Sequence, residues 1–219
     1  MNVELISLTK PFNCQSTDSS EDLISYCARV SNPENQNNTD TSPRLLKFLI
    51  KHKHWSPFEM ADMTLEIKTS RAIAAQILRH RSFSFQEFSQ RYSEAIKMED
   101  VQIRKQAVKN RQSSTDEFQN SQLLAKVREH TAKGFSLYKE LIKSGAAKES
   151  ARMILPLTTE TTMYMKGSIR SWIHYIDLRV KENTQKEHRD IALKCKKIFI
   201  DHFPNVADAL WKDNDHQPN

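Results

Sequence analysis

The chain has 219 residues, 38% of them hydrophobic and 27% charged, with a formal net charge of +6. That length suits one domain with a sizeable core, and no apolar run approaches a membrane span. The glycines, Gly134, Gly145 and Gly167, are too scattered for a GxGxxG fingerprint or a P-loop, so any nucleotide must be held by side chains and helix ends.

Cys14, Cys27 and Cys195 are widely spaced and form no CxxC pair, which reads as reduced thiols with Cys195 on an apolar helix face. Met1 to Glu4 lacks the basic-then-apolar start of a secretory signal, and a cytoplasmic location is expected. The basic balance permits nucleic acid, a membrane surface or small anions and does not choose between them.

In chain order, Val3 to Thr9 reads as a strand, and Ser19 or Ser20 caps a helix through Val30. Residues 32–41 form a polar loop, and Ser42-Pro43 opens a helix to about His52. His52 and His54 have HxH spacing without a third ligand nearby, so no metal site is expected. Asp62 to Lys68 alternates, with Met63, Leu65 and Ile67 on one face, the pattern of a half-buried strand. A helix from a Ser70 cap to His80 follows, with Ile73, Ala74, Ile77 and Leu78 inward.

Residues 94–121 show neither period and read as a mobile insertion or lid. Asp116 to Ser144 reads as a long core-packed helix closed by Gly145, followed by a short helix from Ala147 to Ile154 that Pro156 stops. Thr158 to Met165 is β-branched and strand-like. Ser168 then caps a helix to Val180, with Arg170, His174 and Asp177 on one face and Trp172, Tyr175 and Arg179 towards the other. Two polar faces suit a helix lying between two ligands or two subunits. Thr184 to Glu187 reads as a capping box, the last helix ends before Pro204, and residues 212–219 read as a frayed tail.

The chemistry concentrates in Arg79 to Tyr92. At helical spacing Gln76, Arg79 and His80 gather an amide, a guanidinium and an imidazole, and Arg81, Glu87, Ser89, Gln90 and Arg91 follow at once. Arginines clamp anions bidentately, and an amide reads donor and acceptor edges, so a phosphate and a flat heterocycle fit. A rival reading is a nucleic-acid-binding module that stacks bases on Phe83, Phe85, Phe88 and Tyr92. Another keeps a flavin or nucleotide pocket without catalysis.

Arg79-His80-Arg81, seven further residues and then Ser89 resembles the R-H-R-x7-S signature of the flavin-dependent thymidylate synthases, the ThyX family. His54-Trp55-Ser56-Pro57-Phe58-Glu59, Ala151 to Pro156, Arg170-Ser171 with Leu178-Arg179, and Gln185-x-Glu187 are similar to further segments of that family, in the same order. The resemblance implies an α/β (α+β) fold, a small antiparallel sheet wrapped by helices in a single domain spanning 1–219. It implies reductive methylation of dUMP to dTMP, with FAD as cofactor and NADPH and 5,10-methylenetetrahydrofolate as co-substrates. It also implies a homotetramer with shared active sites.

Carried over residue by residue, it puts flavin on His54, Ser56, Arg79, His80, Arg81, Glu87, Ser168, Ile169, Arg170 and His174. It puts dUMP on Gln76, Arg79, Glu87, Ser89, Gln90, Arg91, Arg152 and Arg179. The chain departs from the pattern at Ser168 and His174, where many relatives carry asparagine, and at Asn183, where they carry histidine. Arg179 is expected to be the catalytic group. It stays protonated, so its role is to stabilise negative charge developing on the uracil ring rather than to act as a base.

Overall fold

The computed structural model describes residues 1–12, 18–95, 97–100 and 102–212. The expectations for Cys14 and for the tail beyond Lys212 lie outside the described residues.

Alternation in the central strands builds the sheet. In β2 (Asp62–Ser70) the side chains of Met63, Leu65 and Ile67 are fully buried, while Asp62, Thr64, Glu66 and Lys68 between them are not. Its neighbour β6 (Glu160–Ser168) repeats the pattern with Met163 and Met165 inward and Tyr164 and Lys166 outward. These two strands pair antiparallel, Leu65 opposite Met165. β1 (Asn2–Leu8) adds to the free side of β2, and β3 (Ser84–Glu87) to the free side of β6, giving the antiparallel order β1-β2-β6-β3.

One face of this sheet carries the core. Against it pack α6 (Ile169–Arg179) and α7 (Lys186–His202), with α1 (Ser20–Ala28), α2 (Ser42–Lys51) and α8 (Pro204–Ala207) closing the far side. The expected α+β architecture, a small antiparallel sheet wrapped by helices, is what the chain forms. Among the described residues no helix is long and apolar enough to cross a membrane.

α1 ends at Ala28, earlier than the apolar pattern extends, and Ser19 caps it by accepting from the amide of Glu21. Glu21 is buried at the other end of the chain's path, where it accepts 2.7 Å bonds from Val206 N and Asn205 Nδ2. That carboxylate therefore caps α8 from α1. Burial raises its pKa against the opposing pull of those hydrogen bonds.

Three elements depart from expectation. Residues 94–121 contain a two-stranded ribbon, β4 (Arg104–Gln106) and β5 (Ser114–Glu117), whose strands are too short to show a period. The long helix α4 (Ser121–Lys143) starts after the ribbon rather than at Asp116, with Asn120 accepting from Leu123 N. Gly145, at φ 89°, closes it as expected. Core packing is confined to its C-terminal half, where Phe135 and Tyr138 form a small second cluster with Ala95 and Ala151; Leu123, Val127 and Leu137 stay exposed. The Thr184–Glu187 capping box does not form either. Gln185 precedes α7 without a side-chain cap, and Glu187 is taken by Arg104 of the ribbon.

Candidate active site

The helix expected over Ser70–His80 is shorter. Ser70 belongs to β2 and makes no capping bond, and α3 (Arg71–Ile77) gives way to a turn. The amides of Arg79 and His80 bond to the carbonyls of Gln76 and Ile77, and Phe83 N reaches His80 O. Arg79 and Arg81 are exposed, while Phe83 turns inward against Trp172 at 4.9 Å between ring centroids. Phe83 fits because β6 carries Gly167 there. A Cβ on Gly167 would lie 2.5 Å from the Phe83 ring. So a glycine in the sheet sets how closely the basic turn sits on the core.

This packing delivers His80 to the end of α6. Its ring meets Tyr175 edge-on at 4.9 Å, and its Nε2 accepts a 2.9 Å bond from Arg179 Nε. Burial, then the Arg179 guanidinium and His174, lowers the His80 pKa to about 4. Gln76 lies beside the same group: its Nε2 donates to Gln185 Oε1 at 2.6 Å, and its Oε1 is 3.4 Å from His188 Nδ1. His188 is fully buried on the first turn of α7, with a pKa lowered to about 3 by burial and by Arg179 and His80. The hydroxyl of Tyr175 and Nε2 of His188 are buried without hydrogen-bond partners.

Tertiary structure revises the reading of α6. Trp172 and Tyr175 are core residues, not part of a second polar face, and Trp172 Nε1 donates to Met63 O. Only Arg179, beyond them at the helix end, emerges from that wall. The other face keeps its expected character. Arg170, His174 and Asp177 line a cleft of about 500 Å³ together with Trp55, Glu59, Ser82, Ser171 and Ile173. Arg170 pairs with Glu59 at 2.6 Å. Ser168 caps α6 as expected, accepting from Ser171 N, and Ser171 Oγ donates to Ser82 O. His54 and Ser56 are exposed at the turn that contributes Trp55 and Glu59. Ile169 is wholly buried in the core, with its amide bonded to Ala61 O.

The remaining substrate candidates gather elsewhere. Glu87 accepts from Arg71 Nη1 and Thr161 Oγ1 through the same oxygen. Arg91 pairs with Glu149 at 3.2 Å, and Arg152 Nε donates to the Glu149 carbonyl. Ser89 is exposed, and its carbonyl closes a turn onto Tyr92 and Ser93. Gln90 is buried, with its Nε2 unpartnered. Of the dUMP candidates, Arg179 bonds His80 and Gln76 meets the neighbouring His188, while Arg91 and Arg152 both bond Glu149.

The sequence singles out none of Arg71, Glu149, His188 and Arg104. Glu149 was within reach, three residues before Arg152 on a helical stretch. His188 and Arg104 carried no local signal, because their partners are more than 80 positions away. Of the four aromatics of the base-stacking rival, Phe83 is a core residue and Phe85 is half-buried, while Phe88 and Tyr92 are exposed.

Comparisons with known proteins give the family and the fold. A family model described as "Thymidylate synthase complementing protein" matches residues 14–205. The chain is 56% identical over 218 residues to a flavin-dependent thymidylate synthase of Synechocystis sp., covering 96% of this chain and 99% of the relative. It is 53% identical over 214 residues to a protein of Paramecium bursaria Chlorella virus 1 named "Probable flavin-dependent thymidylate synthase", covering 96% and 99%. A UMP/dUMP methylase, PolB, from Streptomyces cacaoi, solved with 5-Br dUMP, shares the fold, with a TM-score of 0.79 at 24% identity over 95% of this chain and 93% of that one. On the family match and two relatives spanning nearly its whole length, the chain belongs to the family of flavin-dependent thymidylate synthases.

Proposed function

We propose that the protein is a flavin-dependent thymidylate synthase that methylates dUMP to dTMP, with FAD as the flavin, NADPH as reductant and 5,10-methylenetetrahydrofolate as carbon donor. The observation that carries this reading is the Arg179–His80 bond beside Gln76. It joins the R-H-R turn to the end of α6, the two segments that the family resemblance places on one substrate. The guanidinium is a fixed cation against an apolar wall, suited to hold negative charge on a uracil ring as C5 becomes nucleophilic.

The chain's residues fit a flavin. The cleft beside α6 offers Arg170 for a phosphate, His174 and Ser171 as hydrogen-bonding groups, and Trp55 and Ile173 as a flat apolar wall. The Glu59–Arg170 pair leaves Arg170 half exposed, with donors to spare. When bound, the flavin supplies the hydride that completes the methyl group. Arg79, Arg81, His54 and Ser56, which the family resemblance also puts on the flavin, are exposed and would bind and orient it.

Shared active sites in a homotetramer are part of this reading, as the family resemblance implies. In this reading one subunit presents Gln76, His80 and Arg179, and another presents Ser89, Arg91 and Arg152. Leu123, Val127 and Leu137, exposed along α4, are apolar surface suited to burial between copies.

The purified protein should show a flavin absorption spectrum, or acquire it on incubation with FAD, and form dTMP only with dUMP, methylenetetrahydrofolate and a reductant all present. A colourless protein that takes up no FAD would overturn the reading, and strongly salt-dependent binding to long nucleic acid would then favour the rival.

A further inference from the structure

A chain of side-chain bonds runs from the β4–β5 ribbon to Gln76. Arg104 pairs with Glu187 at 2.6 Å, and Gln185 Nε2 donates to Glu187 Oε2 at 3.0 Å. Gln76 Nε2 donates to Gln185 Oε1, and His188 Nδ1 meets Gln76 Oε1. The order of donors and acceptors is not free. A guanidinium only donates and a carboxylate only accepts, so Gln185 must offer its NH2 to Glu187. Its oxygen then faces Gln76, and Gln76 must answer with its own NH2. The remaining edge of Gln76 is its oxygen, which selects the Nδ1–H tautomer of His188. The ends are well held: the side chains of Arg104 and Glu187 are 11% and 20% exposed, and His188 is fully buried. Attraction to Arg104 lowers the Glu187 pKa against the opposing effect of burial, so the acceptor end stays ionised.

We propose that Arg104 and Glu187 are positioning residues that fix which way the Gln76 amide points, and thereby help the site choose uracil over cytosine. Without the charged end, an amide can flip at little cost, because its oxygen and NH2 have nearly the same shape. With it, Gln76 keeps one lone pair and one N–H in set places. A uracil edge offers N3–H beside a carbonyl, and a cytosine edge offers a bare N3 beside an amino group. An amide locked one way round pairs with one of these edges and opposes the other. The inference rests on the reading that the dUMP base faces Gln76.

The test is equilibrium binding of dUMP and dCMP to the flavin-loaded protein and to Glu187→Gln, Arg104→Gln and Arg104→Lys. Glu187→Gln and Arg104→Gln should lower the preference for dUMP over dCMP about 5- to 10-fold, the scale of one net hydrogen bond, with flavin content unchanged. Arg104→Lys, which keeps a cation on the carboxylate, should retain most of the preference. A merely structural role would weaken both nucleotides alike. That result, or an unchanged preference in both glutamine variants, would overturn the proposal and leave the synthase reading standing. Wild-type protein that binds neither nucleotide would sink the synthase reading and this inference together.

Discussion

Nε of Arg179 donates a 2.9 Å hydrogen bond to Nε2 of His80, joining residues 99 positions apart in the chain. Because Nε2 accepts, the imidazole is neutral, with its proton on Nδ1. Burial and the neighbouring cation both favour that neutral form. His80 therefore holds the guanidinium in place without neutralising it, and Arg179 keeps its charge for the substrate.

Removal of that charge should cost rate more than cofactor. Arg179→Ala should retain flavin but lose thymidylate formation by about 10²- to 10³-fold, the usual effect of deleting one preorganised donor. Arg179→Lys should recover little, because a point charge cannot reproduce the planar fork. In Arg179→Ala the His80 pKa should rise, a shift that NMR titration of the imidazole reads directly. Normal turnover in Arg179→Ala would move the activating role to Arg91 or Arg152.

The two low imidazole pKa values make stability depend on pH. His188 sits at about 3 and His80 at about 4, both below the ordinary 6.5. Between those values the unfolded chain takes up protons that the folded one refuses. Stability is thus full above pH 6.5 and falls as the pH drops through 4 towards 3. At pH 5 the buried His188 should alone account for about 2 kcal/mol of that loss. Thermal melts of His188→Leu from pH 7.5 to 5 should show a shallower slope than wild type; parallel slopes would contradict the assignment.

Gly167→Ala tests how the basic turn is seated. The new methyl would meet the Phe83 ring, which is held against Trp172 and Tyr175 and has nowhere to swing. Overpacking of this kind costs about 1–3 kcal/mol. Because Phe83 follows His80 by three residues, flavin affinity and dUMP affinity should both drop. Phe83→Leu in the same background should restore part of the lost stability, and failure of that rescue would place the strain elsewhere.

Glu21→Ala should destabilise the protein by about 2–3 kcal/mol, since it leaves the start of α8 without its buried acceptor. Denaturant melts measure this. Activity per folded molecule should be unchanged, because Glu21 lies in the packing of α1 against α8.

Sharing of sites between subunits is tested by mixing. Arg152→Ala and Arg179→Ala should each be inactive alone. Co-refolded or subunit-exchanged, they should regain measurable activity through hybrid sites that carry both native arginines. Light scattering that gives a monomer at working concentration would count against shared sites.

The sequence by itself determined the elements whose signals are local. Alternation of Met63, Leu65 and Ile67 marked β2, the Ser168 oxygen marked the start of α6, and Gly145 marked the end of α4. The order of short motifs from His54 to Glu187 also identified the family, because those residue types at those spacings need no tertiary context to be read. Tertiary structure decided whatever depends on partners far along the chain. The Thr184–Glu187 segment has a capping-box pattern, yet Glu187 goes to Arg104, because a charge-assisted bond to a largely buried guanidinium is stronger than a local cap. The periodic helix through His80 stops at Ile77, and the turn that follows it carries Phe83 onto Gly167 of the neighbouring strand, a contact that no local period announces. Trp172 and Tyr175 look like a second functional face of α6 in projection, but the sheet beneath them claims both for the core. Periodicity states which residues share a side. Only packing states which side is buried.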